Sequence, residues 1–372
     1  MTTIGEIADI INGGTPSTSV DSYWDGDVQW VTPKDLGQLK CRYISSGERT
    51  ITIEGVKHSS AKILPPHSLI LSSRAPIGYV AINTVPMATN QGCKGIIPSD
   101  RVLSEYLFYY LLFCNELLNS LGTGATFKEL SGTKLSTVSL PLPSPEEQQR
   151  IVGILDAEFE KIDALKANAE KNLQNAKDLF QAALKKELEP KDGWNWVCLP
   201  SLSENLDSKR IPITQKDRTE GHYPYYGASG IVDYVSDYIF DDELLLISED
   251  GANLLARSTP IAFSVSGKIW VNNHAHILKF NDMATQKIVE YYIASISIDE
   301  YVTGAAQPKL TQANMNKIAI PMPPLEKRTE IVDRLTILQE RTKTLQDNHT
   351  QTIALCDDLK QALLRKAFNG DL

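Results

Sequence analysis

Residues 123–189 recur without a gap at 303–369, and no other feature constrains the fold as tightly. Thr123-Gly-Ala-Thr-Phe-Lys-Glu-Leu130 is echoed by Thr303-Gly-Ala-Ala-Gln-Pro-Lys-Leu310, and the same offset then holds. Pro141-Leu-Pro-Ser-Pro-Glu146 matches Pro321-Met-Pro-Pro-Leu-Glu326. Asp178, Leu179, Gln181, Ala182, Leu184 and Lys186 equal Asp358, Leu359, Gln361, Ala362, Leu364 and Lys366. Solenoid arrays repeat at a far shorter period, so this is a duplicated half.

Each copy has the same local grammar. A short strand-like run (Val138 to Leu140; Ile318 to Ile320) ends at prolines, which stop a strand and precede a helix start. Glu146, Glu147 and Glu326 follow, in the first turn where the helix dipole favours acids. From there nothing stops a helix before Pro190 or Gly370, with Gly153 the one weak spot. Each helix of ~44 residues would be ~65 Å long at ~1.5 Å per residue. Apolar residues at steps of four and three predict a heptad seam: Ile151, Leu155, Ile162, Leu165 and Leu179, then Ile331, Leu335, Leu338, Leu345 and Leu359. The shared register favours pairing of the two helices within the chain, antiparallel and with pseudo-twofold symmetry, over packing of each helix on its own domain or on a copy in another chain.

The segments ahead of the helices are less alike but still related. Leu69-Ile-Leu-Ser72 resembles Leu245-Leu-Ile-Ser248, and Asn90 to Ile96 falls where Asn272 to Leu278 does. Both mix β-branched runs with Gly, Pro and Asp turns, and each ends in one helix, Ser104 to Leu118 or Thr285 to Ser295. The expected fold is α+β, with two small α/β domains each followed by a long helix. The boundaries read 1–122, 123–189, 190–302 and 303–372.

A chain of 372 residues with 42% hydrophobic and 22% charged content is ordinary globular material. Cys41, Cys93, Cys114, Cys198 and Cys356 form no Cys-x-x-Cys pair, which predicts free thiols in a reducing cytoplasm. No signal peptide is visible, and the apolar run Tyr106 to Cys114 is too short to span a bilayer. Net charge is −9, and residues 190–302 carry most of the imbalance, nine Lys and Arg against sixteen Asp and Glu. Tight non-specific DNA binding by the isolated chain is therefore not expected, although a locally basic face remains compatible with an acidic protein.

Phosphate loops, dinucleotide turns, nucleophile elbows, zinc-protease helices and the Asn-Pro-Pro-Tyr stretch of adenine methyltransferases are all missing from the sequence. His274-x-His276 would place two imidazoles on one strand face, but with no third ligand in view a metal-free polar surface is the expected reading. Gly13-Gly14-Thr15-Pro-Ser17 could offer backbone N–H groups to a phosphate or simply make a tight turn. Ser73 and Arg74 follow a buried run, so Arg74 emerges at a strand end, suited to a guanine edge, a phosphate or an ion pair. Asn90, Gln91 and Lys94, with Asn272, Asn273, His274 and His276, carry amides, imidazoles and an amine after apolar runs. Amides can pair with adenine, or make turns. Lys34, Lys209, Arg210, Tyr223, Tyr225 and Tyr226 complete the candidate contacts, the tyrosines being equally fit for a core.

Taken together these residues resemble the specificity subunit of type I restriction-modification systems. The resemblance spans essentially the whole length. It rests on Gly13-Gly-Thr-Pro-Ser17 with Tyr23-Trp24 and Trp30-Val-Thr-Pro-Lys-Asp35, and on Gly193-Trp194 and Tyr223-Pro-Tyr-Tyr-Gly-Ala-Ser229. Most specific is Leu140-Pro-Leu-Pro-Ser-Pro-Glu-Glu-Gln-Gln-Arg-Ile151, repeated half a chain later with Glu326-Lys-Arg-Thr329 in place of Glu-Gln-Gln-Arg.

The resemblance implies two target-recognition domains, 1–122 and 190–302, each reading half of a bipartite double-stranded DNA target. It implies that the antiparallel helices hold them apart and dock two methyltransferase subunits. Those partners would use S-adenosylmethionine; restriction (translocase or nuclease) subunits are an open further partner. It gives this chain no catalytic role, cofactor, metal or membrane. Two other classes stay open: a coiled-coil scaffold whose heads bind protein, and an enzyme with an unrecognised site.

Overall fold

The computed structural model describes residues 1–124, 128–304 and 306–372, so Ala125, Thr126, Phe127 and Ala305 of the Thr-Gly-Ala echo lie outside the described residues. Two compact units form: Met1–Ala169 with Gln351–Leu372, and Glu170–Thr350. Each therefore takes one segment of both long helices.

In the first unit the buried run Leu69–Ser73 is central to a five-stranded sheet. Its order is Ala8–Asn12, Cys93–Pro98, Leu69–Ser73, Ile77–Asn83 and Tyr43–Ile44. All neighbours are antiparallel except the last pair. A second sheet places Trp24–Val31 between Arg49–Ile51 and Met87–Thr89. Helix Ser104–Phe113 is apolar almost all round (Ser-Glu-Tyr-Leu-Phe-Tyr-Tyr-Leu-Leu-Phe), as a helix enclosed in a core must be. It breaks at Cys114, and Asn115–Leu121 follows as a separate helix where the sequence suggested one to Leu118. Its ring residues meet the second long helix, whose Phe368 lies 5.3 Å from Tyr106 and 5.1 Å from Tyr110 between centroids.

The second unit repeats the plan. Its main sheet runs Ser203–Asn205, Ala275–Phe280, Leu244–Ser248, Ala262–Val265, and its second runs Gly230–Val235, Glu220–Gly227, Lys268–Val271, Phe240–Asp241. Registers correspond: Leu69 faces Ile96 and Ser72 faces Cys93 in the first unit, as Leu245 faces Leu278 and Ser248 faces Ala275 in the second. Helix Met283–Ser295 is capped by Asp282, which accepts from the Thr285 N–H at 2.7 Å. The shared grammar also appears in the connections. Thr123 bridges Glu129 as Thr303 bridges Lys309, and Ser131 and Thr311 each cap the next short helix.

The long helices are Pro145–Glu187, 43 residues, and Leu325–Asn369, 45 residues, with Gly153 exposed and harmless to continuity. They run antiparallel within each unit. Asp163 pairs with Lys360 and Lys166 with Asp357 in the first, and Glu187 pairs with Arg334 in the second.

The seam is narrower than the heptad reading. Ile151, Leu155 and Ile162 are buried in the first unit, with Ala169 and Cys356; Ile331 and Leu335 are buried in the second, with Ala176, Leu184 and Thr342. Leu338 is only half-buried, while Leu165 (50%), Leu179 (52%), Leu345 (44%) and Leu359 (47%) are exposed. Beyond Leu155 and Leu335 no more than one rung per seven residues is covered, because a two-helix pair walled by small residues covers only a narrow stripe. The flanking leucines would need a further element to cover them.

Candidate nucleic-acid interface

In the first unit four connections gather at one end of the sheets: 13–17, 32–35, the hairpin tip 74–76 and 90–92. Gly13 and Gly14 are required there by close approach. A Cβ on Gly13 would lie 1.8 Å from the Asn90 carbonyl oxygen, and one on Gly14 2.2 Å from the Ala61 nitrogen. Their N–H groups donate inward, to the Cys93 and Thr89 carbonyls at 3.3 and 2.8 Å, so the diglycine extends the strand pairing and offers no phosphate cradle. The loop is held from below by tryptophan: Trp30 Nε1 donates to the Gly14 carbonyl at 2.9 Å and Trp24 Nε1 to that of Ser17 at 3.1 Å. On top, the Thr15 hydroxyl donates to Gln91 Oε1, while Ser17 pairs with the Ser19 hydroxyl.

Arg74 sits on a tightly built hairpin tip. Ser72 Oγ donates to the Pro76 carbonyl and accepts from the Tyr79 N–H, both at 2.8 Å, and Ala75 takes a left-handed φ of 55°. Arg74, Lys34, Tyr79 and Asn90 line an open groove of about 570 Å³. Lys34 is held at 2.6 Å by Glu48, and Arg74 is 3.9 Å from Glu129. The Asn90 side-chain oxygen Oδ1 accepts the Gly92 N–H at 2.9 Å, which leaves its NH2 as the free end. Ser73 and Lys94 are buried beneath the tip.

The second unit builds the same end differently. Asn272 accepts the His274 N–H at 2.8 Å in the turn that Asn90 makes, but is buried. Both Asn amides thus do turn chemistry, and bidentate adenine pairing by Asn272 is ruled out by its enclosure. His276 is 1% exposed, with its Nδ1 2.6 Å from an Asp207 carboxylate oxygen and its Nε2 2.8 Å from the Leu310 carbonyl oxygen. Arg210 donates to Glu249 at 2.6 Å and to the Ala275 carbonyl at 2.9 Å; Lys309 adds to Glu249 at 3.1 Å. Burial works against the charges of Asp207 and Glu249. Their hydrogen bonds, from His276 and the Ile277 N–H to Asp207 and from Arg210 and Lys309 to Glu249, nevertheless hold both carboxyls below the usual carboxylate range.

His276 and Arg210 are therefore internal struts, not contact residues. Asp207, Glu249 and His276 could in principle surround a cation, but Arg210 and Lys309 already balance those carboxylates. His274 lies outside that group, paired with Asp250 at 2.9 Å. Tyr225 is buried with its hydroxyl accepting the Ile213 N–H at 3.0 Å, while the Tyr223 ring lies tilted against His222 and Tyr226 lies half-buried near Phe263. Lys209, Asn273 and His274 remain at the surface.

Each domain is tied to its long helix by side chains that motif reasoning missed. Tyr109 donates to Asp156 at 2.6 Å, and Arg42 clamps the same carboxylate bidentately. At the equivalent repeat position the Tyr291 hydroxyl meets Thr336 at 2.9 Å. Gln148, fully buried, accepts from the Leu103 N–H and donates to the Arg101 and Pro143 carbonyls; Arg328 serves its position in the second copy by donating to Pro323 and Thr285. The Gln-for-Arg change thus alters an internal clamp. Glu129 and Glu249 were missed as well, since single acids carry no motif. The one available signal is that Glu129 and Lys309 exchange charge at matched repeat positions.

Comparison with known proteins agrees with this duplicated plan. The family described as type I restriction modification DNA specificity domain matches residues 1–175 and again 191–354. The specificity subunit of the type I restriction enzyme MjaIX of Methanocaldococcus jannaschii is 32% identical, over 99% of this chain and 92% of that one. That of EcoprrI of Escherichia coli is 24% identical, over 95% and 93%. Among solved structures, a chain from a study of complex assembly and conformational transition of the type I R-M system has a TM-score of 0.79 at 20% identity, covering 100% of this chain and 97% of that chain. The HsdS subunit of Thermoanaerobacter tengcongensis gives 0.57 at 20% identity, over 100% and 96%. The two structures share the fold; the two-fold match of the family and the full-length likeness of the archaeal relative go further, and the chain belongs to the type I restriction-modification DNA specificity family.

Proposed function

We propose that the chain is the sequence-reading, non-catalytic subunit of a methylating complex, with residues 1–122 reading one half of a split duplex target and 190–302 the other. The observation that carries this is the same loop-bearing sheet end built twice in one chain, on sheets of matching order. In the first unit Arg74, Gln91 and Thr15 are the side chains offered to bases or phosphates; in the second, Lys209, Asn273 and His274 are. Two weak readers on one chain gain affinity through effective concentration.

The long helices set the gap between half-sites and dock two methyltransferase subunits, which hold S-adenosylmethionine. The exposed Leu165, Leu355 and Leu359 of the first unit, and Leu179, Ile337 and Leu345 of the second, favour such docking, because a partner helix would cover them. A restriction subunit is a further candidate partner.

The test is to lengthen both long helices by four residues each, co-express with the methyltransferase subunit, and map methylated sites. At ~1.5 Å per helical residue and ~3.4 Å per base pair, the gap should grow by up to ~2 bp with both half-sequences unchanged. An unaltered gap would remove the helices from the spacing role.

A further inference from the structure

The first unit holds an open cavity of about 730 Å³ beside its reading end, lined by Asn12, Lys94, Thr123, Glu129, Ser131 and Thr133 among others. Lys94 lines it with only 6% of its surface exposed. Among the described residues its ammonium makes no hydrogen bond. Its single ion pair, to Glu129, is 3.6 Å long, well beyond the 2.7–2.9 Å of a charge-assisted bond. A cation with so little exposed surface and so poorly paired by protein atoms depends on acceptors supplied from the cavity. Glu129 is also shared with Arg74 at 3.9 Å, so one half-exposed carboxylate stands between two cations and the corner keeps a surplus positive charge.

The duplicated half supplies an internal comparison. Strand register puts His276 where Lys94 stands, opposite Ile247 and Leu71 respectively. Leu310 donates to the Glu249 carbonyl as Leu130 does to that of Ser73, which equates Glu249 with Ser73. Lys309 holds the repeat position of Glu129. In the second unit these positions close on themselves: Glu249 takes Arg210 and Lys309, and His276 takes Asp207 and Leu310. In the first unit no carboxylate replaces Glu249, and Ser73 Oγ is buried without a partner. The acidic partner that completes the network in one copy is missing from the other, and the cavity opens at that place.

We infer that the cavity over Lys94 binds a phosphate-class oxyanion, with the Lys94 ammonium as the charged contact and the Thr123, Ser131 and Thr133 hydroxyls as neutral donors. Such an anion supplies several strong acceptors to a cation that has none at bonding distance. It could be a free phosphate or a backbone phosphate of a bound duplex. The inference does not depend on duplex reading, because inorganic phosphate is the probe.

The test is thermal melting of the full chain titrated with sodium phosphate against sodium chloride at matched ionic strength. Phosphate held 100-fold above its Kd should raise the melting temperature by about 5–10 °C in the natural chain. Lys94→Arg should keep the effect and Lys94→Met should lose it, with Kd weakened at least tenfold. Lys309→Met, in the closed copy, should leave the phosphate response as it was. Should Lys94→Met not fold, 15N-lysine NMR of the natural chain reads the same point: the one ammonium signal missing from Lys94→Arg must move on phosphate addition. No phosphate effect beyond that of chloride, a full effect in Lys94→Met, or a static Lys94 signal overturns the site. Given a site, competition between phosphate and duplex identifies a backbone phosphate as the occupant, and independent binding identifies a free anion.

Discussion

Truncating Leu155 and Leu165 separately to alanine distinguishes the narrow seam from the full heptad one. Both fit the apolar pattern of the first long helix, ten residues apart, and sequence periodicity ranks them together. The structure separates them. Leu155 has no exposed surface and lies in the core that joins the five-stranded sheet, helix Ser104–Phe113 and the end of the second long helix; Leu165 is half exposed. Leu155→Ala leaves a cavity among Tyr109-side and Phe368-side neighbours that cannot fully collapse, a change that costs about 2–5 kcal/mol. For a unit of this size, at roughly 2–4 °C per kcal/mol, the melting temperature should fall by about 10 °C. Leu165→Ala removes a side chain already in water and should stay within about 0.5 kcal/mol, a degree or two. Circular dichroism melts of the purified full chain read both numbers. Equal losses from the two variants, or a loss below about 1 kcal/mol for Leu155→Ala, would refute the one-rung seam.

Three further outcomes follow from the geometry. Gly13→Ala should disorder the first reading end, since its Cβ falls 1.8 Å from the Asn90 carbonyl; the check is loss of Trp24 and Trp30 near-ultraviolet signal with the far-ultraviolet spectrum kept. Asp207 and Glu249 have carboxyls held below their unfolded values near 4, so their stabilisation is present above about pH 4.5 and lost as pH falls through the depressed folded values. Asp207→Asn should therefore flatten the acid side of the pH–stability curve, and an unchanged acid limb would contradict the assignment. Arg74→Ala should weaken one half-site by ~1–3 kcal/mol if the guanidinium reads a base; if it holds a phosphate, binding should weaken evenly over sequences with a shallower salt slope.

The fold was legible wherever the sequence carried period or punctuation. The gapless repeat, the proline stops and the long proline-free runs fix two helices whose ends match to within a residue or two. Leu69–Ser73 and Leu244–Ser248 announced themselves as buried strands because both their faces are apolar. The seam was over-read, because periodicity reports which residues are apolar and not how many neighbours exist to cover them. At the reading ends the limits were sharper. Gly13 and Gly14 left a phosphate cradle and a structural connection both open, since the direction of a donor is set by the strand beneath it. His276 and Asn272 looked like contact residues, and their burial depends on Asp207 and Leu310, far away in sequence. The charge exchange between Glu129 and Lys309 was visible in the repeat, yet its meaning required the strand register.

If each half of the chain reads its own half-site, the two should be exchangeable one at a time. The direct measurement is to replace residues 1–122 with the corresponding segment of a family member, co-express with the methyltransferase subunit, and map every methylated site in the host genome. One half of the methylated sequence should change, while the other half and the gap stay as they were. A methylated sequence altered in both halves, or in neither, would contradict that division.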